Sequence, residues 1–253
     1  MRKSMSDAIE AAARALSDAR RTAQPITAVP AEWVPQTLAE AYTLQDAVMR
    51  LEGAAGGWKV LAGGEGEPMC APIPASRYHA DGARLDPAGL MIFLTEVEVG
   101  VKLGQTLADK GTPYTPEEAA AAIVSLHPAL EMCASSFDAG VEASHLLKMG
   151  DLQSNAAVIV GAALPAPAGL DLAGLEIALA YDGEAVASTA AGASWQQIVE
   201  AIAWLANHAI SRGLSLNAGD VIITGARLKH PATGAMEVEA RLAGMAPVTL
   251  TLA

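Results

Sequence analysis

Apolar positions recur at helical spacing through the first fifty residues and alternate with polar ones through much of the remaining chain. The opening stretch, MRKSMSDAIEAAARALSDARR, reads as one amphipathic helix. A second helix is predicted to open at Thr37, with Glu40 three positions on as a capping box, and to close near Gly53. Residues 25–36, PITAVPAEWVPQ, hold three prolines and form the connector. Beyond the glycines at 53, 56 and 57 the pattern changes to β-type runs, GWKVLAG and MIFLTEVEVGVKL, separated by Pro- and Gly-rich loops.

Thr115-Pro116-Glu117-Glu118 signals a third helix, with an N-cap, a first-turn proline and a boxing acid, expected to stop at His127-Pro128. ALEMC (129–133) then reads as a short strand, and LEIALAYDGEAVASTA as a hairpin turning on Asp182-Gly183. Ser194 with Gln197 opens a long helix through Trp195, Ile198, Ile202 and Leu205 that Gly213 ends. The strand VIITG and a hairpin from Met236 to Leu252 complete the chain. Strict βαβ alternation is missing, so the pattern predicts an α+β fold of layered, mixed β-sheets: a small helical N-terminal region over 1–56 and a mixed-sheet domain over 57–253. No GxGxxG or GxxxxGK[ST] loop occurs, which disfavours dinucleotide and P-loop chemistry.

At 253 residues and 52% hydrophobic composition the chain can bury a large core. Its formal net charge of −12 opposes binding to a phosphate backbone, so nucleic acid is not an expected partner. The longest uncharged run, from Leu152 to Leu170, is broken by prolines and glycines, and no membrane span is expected. Nor does the N-terminus read as a targeting leader, lacking an uninterrupted apolar core and carrying Asp7, Glu10 and Asp18. Two cysteines, Cys70 and Cys133, are too few for a disulfide framework and point to a reducing, cytoplasmic setting.

Candidate chemistry centres on FLTEVEVGVKLG (93–104). Strand alternation puts Glu96, Glu98, Gly100 and Lys102 on one face, with the two carboxylates near enough to reach one cation or to repel each other. Taken alone, that pattern reads more plainly as a solvent-wetted strand face. Glu131 is a third acid in apolar surroundings, where a lone buried carboxylate would need a partner or a metal; an edge-strand acid is the plainer reading. Gly100 leaves room on the same face for a ligand or marks a bulge. Lys59 is a single cation in a short apolar strand, fit either to act as a base or electrostatic clamp with a lowered pKa or to snorkel to the surface. Three oxygen donors without a histidine or cysteine cluster suit Mg²⁺ or Mn²⁺, with positions left for a bidentate ligand such as a 2-oxo acid.

These motifs, in order, resemble the fumarylacetoacetate hydrolase superfamily, most nearly its 2-keto-4-pentenoate hydratase / 4-oxalocrotonate decarboxylase branch. The resemblance is carried by AYTLQDAVMRLEGAAGGWKVLAG (41–63), the E-x-E of FLTEVEVGVKLG, HPALEMCASSF (127–137), GDLQSNAAVIVG (150–161) and NAGDVIITGA (217–226). It implies layered mixed sheets, a homo-oligomer able to associate with a sister pathway enzyme, and one divalent ion, Mg²⁺ or Mn²⁺, held by Glu96, Glu98 and Glu131. It also implies Lys59 near the substrate, Asp151 in an acidic segment that arranges the site, and Thr224 and Gly225 at the substrate carboxylate.

The implied reaction is hydration of a 2-hydroxy-2,4-dienoate to a 4-hydroxy-2-oxo acid in aromatic catabolism. A 4-oxalocrotonate-type decarboxylase, an acylpyruvate C–C hydrolase, and a degenerate subunit binding metal and 2-oxo acids are the alternatives. One segment departs from the family pattern: where relatives carry an acid after the lysine strand, this chain has MCAPIPASRYHADG (69–82). Arg77 there is a candidate for a substrate carboxylate and His79 for proton transfer, each balanced by a plain loop role. This segment is expected to decide the reaction. His127 and His208 read as structural, and His145 and Lys148 as part of a loop able to cover the site.

Overall fold

Two amphipathic helices, α1 (Met5–Thr22) and α2 (Leu38–Glu52), lead into a chain of short strands in this computed structural model, which describes residues 5–166, 169–232, 234 and 236–253. There follow β1 (Ala55–Val60), β2 (Cys70–Pro74), β3 (Tyr78–Ala80), β4 (Ala83–Leu85), β5 (Ile92–Leu103), α3 (Pro116–Ala122) and β6 (Ile123–Ala134). Then come α4 (His145–Gly150), β7 (Asn155–Val160), β8 (Leu164–Pro165), β9 (Ile177–Tyr181), β10 (Glu184–Thr189) and α5 (Trp195–Ser211). The chain closes with β11 (Val221–Ile223), β12 (Leu228–Pro231), β13 (Met236–Leu242) and β14 (Val248–Leu252).

The fold is α+β with mixed sheets, as the pattern predicts. One sheet runs β2-β1-β11-β5-β6-β7-β3, with β12 beside β5 and β8 beside β6, and the other runs β10-β9-β13-β14-β4. The first sheet curls until its two edge strands, joined by a single 3₁₀ turn over Ala75–Arg77, approach each other. Tyr78 on one edge donates a hydrogen bond to the Val221 carbonyl on β11 at 2.7 Å. Gly57 is required there, because a Cβ would lie 1.9 Å from the Val221 carbonyl oxygen and 2.4 Å from the Tyr78 hydroxyl. Ile73, Ala129, Val158 and Ile223 fill the inside of the curl. Its outer face, with Val97, Val99 and Val101, joins the main core with Ile198, Ile202 and Leu205 of α5 and Leu179, Val238 and Leu250 of the second sheet.

Several expected features are present in detail. Asp182 and Gly183 take φ of 51° and 82° at the turn between β9 and β10, and Ser194 with Gln197 forms a complete capping box on α5. Thr37 caps α2, but the Glu40 carboxylate accepts from Gln36 N–H instead of closing a box on Thr37. The third helix differs more: α3 ends at Ala122, and His127-Pro128 lies within the twelve-residue β6. From Ile123 onward the backbone pairs with β5, and Pro128, which has no N–H to give, falls one residue before the ladder to β7 begins at Ala129. The helical region over 1–56 shares a core with its neighbours: Ala12, Leu16, Leu44 and Val48 cluster with Ala71 of β2 and Leu147 of α4. No helix among the described residues is long and apolar enough to cross a membrane. Cys70 and Cys133 are both free and buried.

Candidate active site

β5 sends Val97, Val99 and Val101 into the main core and turns Glu96 and Glu98 to the inside of the curled sheet. Antiparallel register places Glu131 of β6 directly opposite Glu96 and Ala129 opposite Glu98. None of the three acids is wetted: Glu96 is 7% exposed, Glu98 1% and Glu131 0%. Lys59 of β1 reaches them from across the curl, its Nζ lying 2.6 and 2.7 Å from the two carboxylate oxygens of Glu131. Asn155 donates to the same carboxylate at 2.9 Å, Lys229 of β12 pairs with Glu96 at 2.9 Å, and the Gly225 N–H donates to Glu98 at 2.7 Å.

Charge is unbalanced in this cluster. Burial pushes the Glu98 carboxyl well up, and the Glu131 and Glu96 carboxylates push it further. Burial raises Glu131 too, against the pull of Lys59. For Glu96 burial is outweighed by Lys59 and Lys229, which hold it below its ordinary value. Burial is the largest single influence on Lys59 and would lower it, but Glu131, Cys133, Glu96 and Glu98 together more than reverse this and keep it an ammonium. The expected low-pKa base is therefore a cation and proton donor in this structure, because its carboxylate partner lies within hydrogen-bonding distance. Burial and Glu131 likewise push the Cys133 thiol well up.

A cavity of about 300 Å³ opens above this cluster, walled by Met69, Phe93, Leu94 and Met149, with Lys148 and Lys229 also in its lining. Gln153 and Ser154 form another part of the wall. Leu152, Gln153 and Ser154 all have positive φ, 49°, 53° and 63°, a conformation that costs a non-glycine residue on the order of 1 kcal/mol. That turn brings the Gln153 carbonyl to 3.4 Å from Lys59 Nζ and leads directly into Asn155. The donor set fits a divalent cation: an excess of buried carboxylate, with ligand atoms of Glu96, Glu131 and Cys133 all within 4.8 Å of one another.

Lys59, Glu96, Glu98 and Gly225 thus come together in the cavity lining with Glu131 bonded to Lys59 outside it, whereas Thr224, Asp151 and Arg77 do not face the cavity. Thr224 lies behind the wall, its hydroxyl donating to the Val99 carbonyl at 2.8 Å, and with the Gly225 N–H given to Glu98 this turn has both donors committed inside the protein. Asp151 is held by Arg20 of α1 at 2.8 Å, outside the cavity lining. Arg77 donates to the Asn155 carbonyl and pairs with Glu52 at 3.0 Å, beside a separate cavity of about 440 Å³ that also contains Ser76 and His79. Of residues 69–82 only Met69 lines the acidic cavity, so the segment expected to decide the reaction lies mostly elsewhere.

Gly100 makes no opening either, since Val221 packs over it. His145 and Lys148 do line the cavity, from α4 instead of a loop. His127 is structural, bonded to Ser125 and the Gly161 carbonyl, and His208 stacks on Trp204. Lys229, Asn155, Gln153 and Cys133 were not expected at the site. Cys133 had a readable signal, two positions after Glu131 on the same strand face, whereas the reach of Lys229 and Asn155 depends on tertiary pairing.

A curled mixed sheet with buried acids and a lysine beside a small cavity characterises the class of fold. The family profile described as fumarylacetoacetate (FAA) hydrolase C-terminal matches residues 76–248, and the chain belongs to that family. It is 32% identical to 2-keto-4-pentenoate hydratase of Paraburkholderia xenovorans (strain LB400) over 131 residues, 52% of this chain and 48% of that one. The match therefore spans about half the length of that curated relative. Identity to 2-hydroxyhexa-2,4-dienoate hydratase of Comamonas testosteroni is 27% over 235 residues, 86% of each chain. The structure of 4-oxalocrotonate decarboxylase from Pseudomonas putida G7, complexed with magnesium and adipate, has the same fold, with a TM-score of 0.84, 22% identity and full coverage of both chains.

Proposed function

We propose that this protein is a divalent-metal-dependent hydratase that converts a 2-hydroxy-2,4-dienoate into a 4-hydroxy-2-oxo acid. The observation that carries the reading is the presence of Glu96, Glu98 and Lys59 in the cavity lining, with the buried Glu131 opposite Glu96 and bonded to Lys59. The hydratase relatives favour this chemistry over others that use a similar site. Glu96, Glu98 and Glu131 would hold the ion, Mg²⁺ or Mn²⁺, which when bound would supply Lewis acidity to the substrate.

The chain's own residues bind, orient and move protons. Lys148 and Lys229 draw the substrate carboxylate to the cavity, and Phe93, Leu94, Met69 and Met149 enclose its unsaturated carbon chain. The 2-hydroxyl loses a proton while the terminal carbon gains one, giving a conjugated 2-oxo-3-enoate. Water then adds its oxygen to the far alkene carbon and a proton to the near one, so that one water is consumed and no other co-reactant is needed. Lys59, an ammonium fixed by Glu131 and the Gln153 carbonyl, holds the proton delivered from Nζ. Asp151 arranges the site through the end of α4.

Incubation with 2-hydroxypenta-2,4-dienoate and Mg²⁺, followed by ultraviolet absorbance and product analysis, tests the proposal. Loss of the diene chromophore with formation of the 4-hydroxy-2-oxo acid is expected. Absence of turnover sinks the hydratase reading, and CO₂ release from oxalocrotonate or cleavage of an acylpyruvate replaces it with the decarboxylase or hydrolase.

A further inference from the structure

Cys133 has no part in the reaction above, yet its sulfur stands among the acids. β6 carries it two residues beyond Glu131, where the register to β7 shifts between Met132 and Cys133, and it lines the same cavity. Its Sγ and one carboxylate oxygen each from Glu96 and Glu131 lie within 4.8 Å of one another. The ligand atoms around a tetrahedral ion with one sulfur and oxygen donors are about 3.5 Å apart, so side-chain rotation of roughly an ångström closes the set. Glu98 is held on the other side by the Gly225 N–H. Among the described residues the close ligand cluster is completed by the Cys133 sulfur, and Glu98, the third acid of the proposed oxygen set, is not part of it.

Hard ions such as Mg²⁺ select the oxygen set, whereas thiolate sulfur favours zinc-class ions. Resting on the divalent-metal reading of this site, we propose that Cys133 Sγ is a direct ligand, with Glu96 and Glu131, for a thiophilic divalent ion of the zinc and cobalt class. As the sulfur–metal bond forms, the thiol proton leaves to solvent, and neither partner is oxidised or reduced. The site then distinguishes ions by which third donor they take, and a thiophilic ion is drawn away from Glu98.

Titration of the metal-free full chain with Co²⁺ tests the ligand directly. A near-ultraviolet sulfur-to-cobalt charge-transfer band is expected to grow to one equivalent and to vanish in Cys133→Ser. By calorimetry Zn²⁺ affinity should fall about tenfold or more in Cys133→Ser and in Cys133→Val, while Mn²⁺ affinity by electron paramagnetic resonance stays within about twofold. Co²⁺ binding without the band, a band that survives Cys133→Ser, or unchanged Zn²⁺ affinity in both variants overturns sulfur ligation and leaves the metal site standing. If the wild-type chain binds neither Mn²⁺ nor Co²⁺, the metal reading falls together with the proposal.

Discussion

Glu96 and Glu131 are register partners across β5 and β6, two buried acids set side by side with Lys59 on one and Lys229 on the other. Like charges directly opposed weaken a strand pair, so this placement opposes stability unless a cation compensates it. Replacing Glu131 with Gln should lower Mn²⁺ affinity by about tenfold or more, a loss that even an outer partner of a ligand can cause. Electron paramagnetic resonance titration measures it. Unchanged affinity would remove Glu131 from the ligand set.

Glu98 should set the pH response of the metal-free protein. Its folded-state pKa lies well above the ordinary carboxyl value, through burial first and then Glu131 and Glu96. The folded chain consequently holds the proton more tightly than the unfolded one. Its stability contribution is greatest below the unfolded value and is lost as pH rises toward the folded one. Metal-free Glu98→Gln should thus be more stable than wild type near neutral pH, with the difference closing below about pH 4, while binding Mn²⁺ more weakly. Thermal melts across that range decide the matter, and a variant less stable at neutral pH contradicts it.

Lys59→Met should unmask the charge of Glu131. Breaking a buried pair by removing one partner costs about 3–5 kcal/mol, and the loss should shrink at acid pH as Glu131 takes a proton. Saturating Mn²⁺ should raise the melting temperature of Lys59→Met by more than it raises that of wild type, because the metal then replaces the cation that Glu131 has lost. Equal shifts in the two proteins would dissociate Lys59 from the metal site.

Arg20 and Asp151 join α1 to the end of α4, the helix that carries His145 and Lys148 to the cavity. Arg20→Met and Asp151→Asn should each destabilise by about 3 kcal/mol. The double variant should lose little more than either alone, giving a coupling of about 2–3 kcal/mol. Denaturant melts of the four proteins measure it. Both single variants should lose kcat/KM in parallel; a far larger loss in Asp151→Asn at equal stability would place Asp151 in the chemistry itself.

Much of the site was legible because its chemistry is local. The alternation around Glu96 and Glu98, the isolated acid at Glu131 and the cation at Lys59 each stand out against apolar neighbours within a few residues. Arg77 and Thr224 are engaged away from the cavity for a shared reason: residue type shows what a side chain can bind, but their partners, Glu52 with the Asn155 carbonyl and the Val99 carbonyl, come from distant segments. The end of α3 was misplaced because a proline normally stops a helix, while here the ladder to β5 had already claimed the backbone from Ile123.

The sequence by itself determined the capped helix starts, the hairpin turn at Asp182-Gly183, the α+β class and the face on which the two strand carboxylates lie, since caps, turns and strand alternation act over only a few residues. Tertiary structure alone decided that those carboxylates are buried and which cation meets them. β1 and β6 are three strand spacings apart in the sheet order, about 14 Å if it were flat, yet Lys59 Nζ and Glu131 are 2.6 Å apart. Only the curl of the whole sheet, set by the packing of every strand and by the close approach at Gly57, makes that contact.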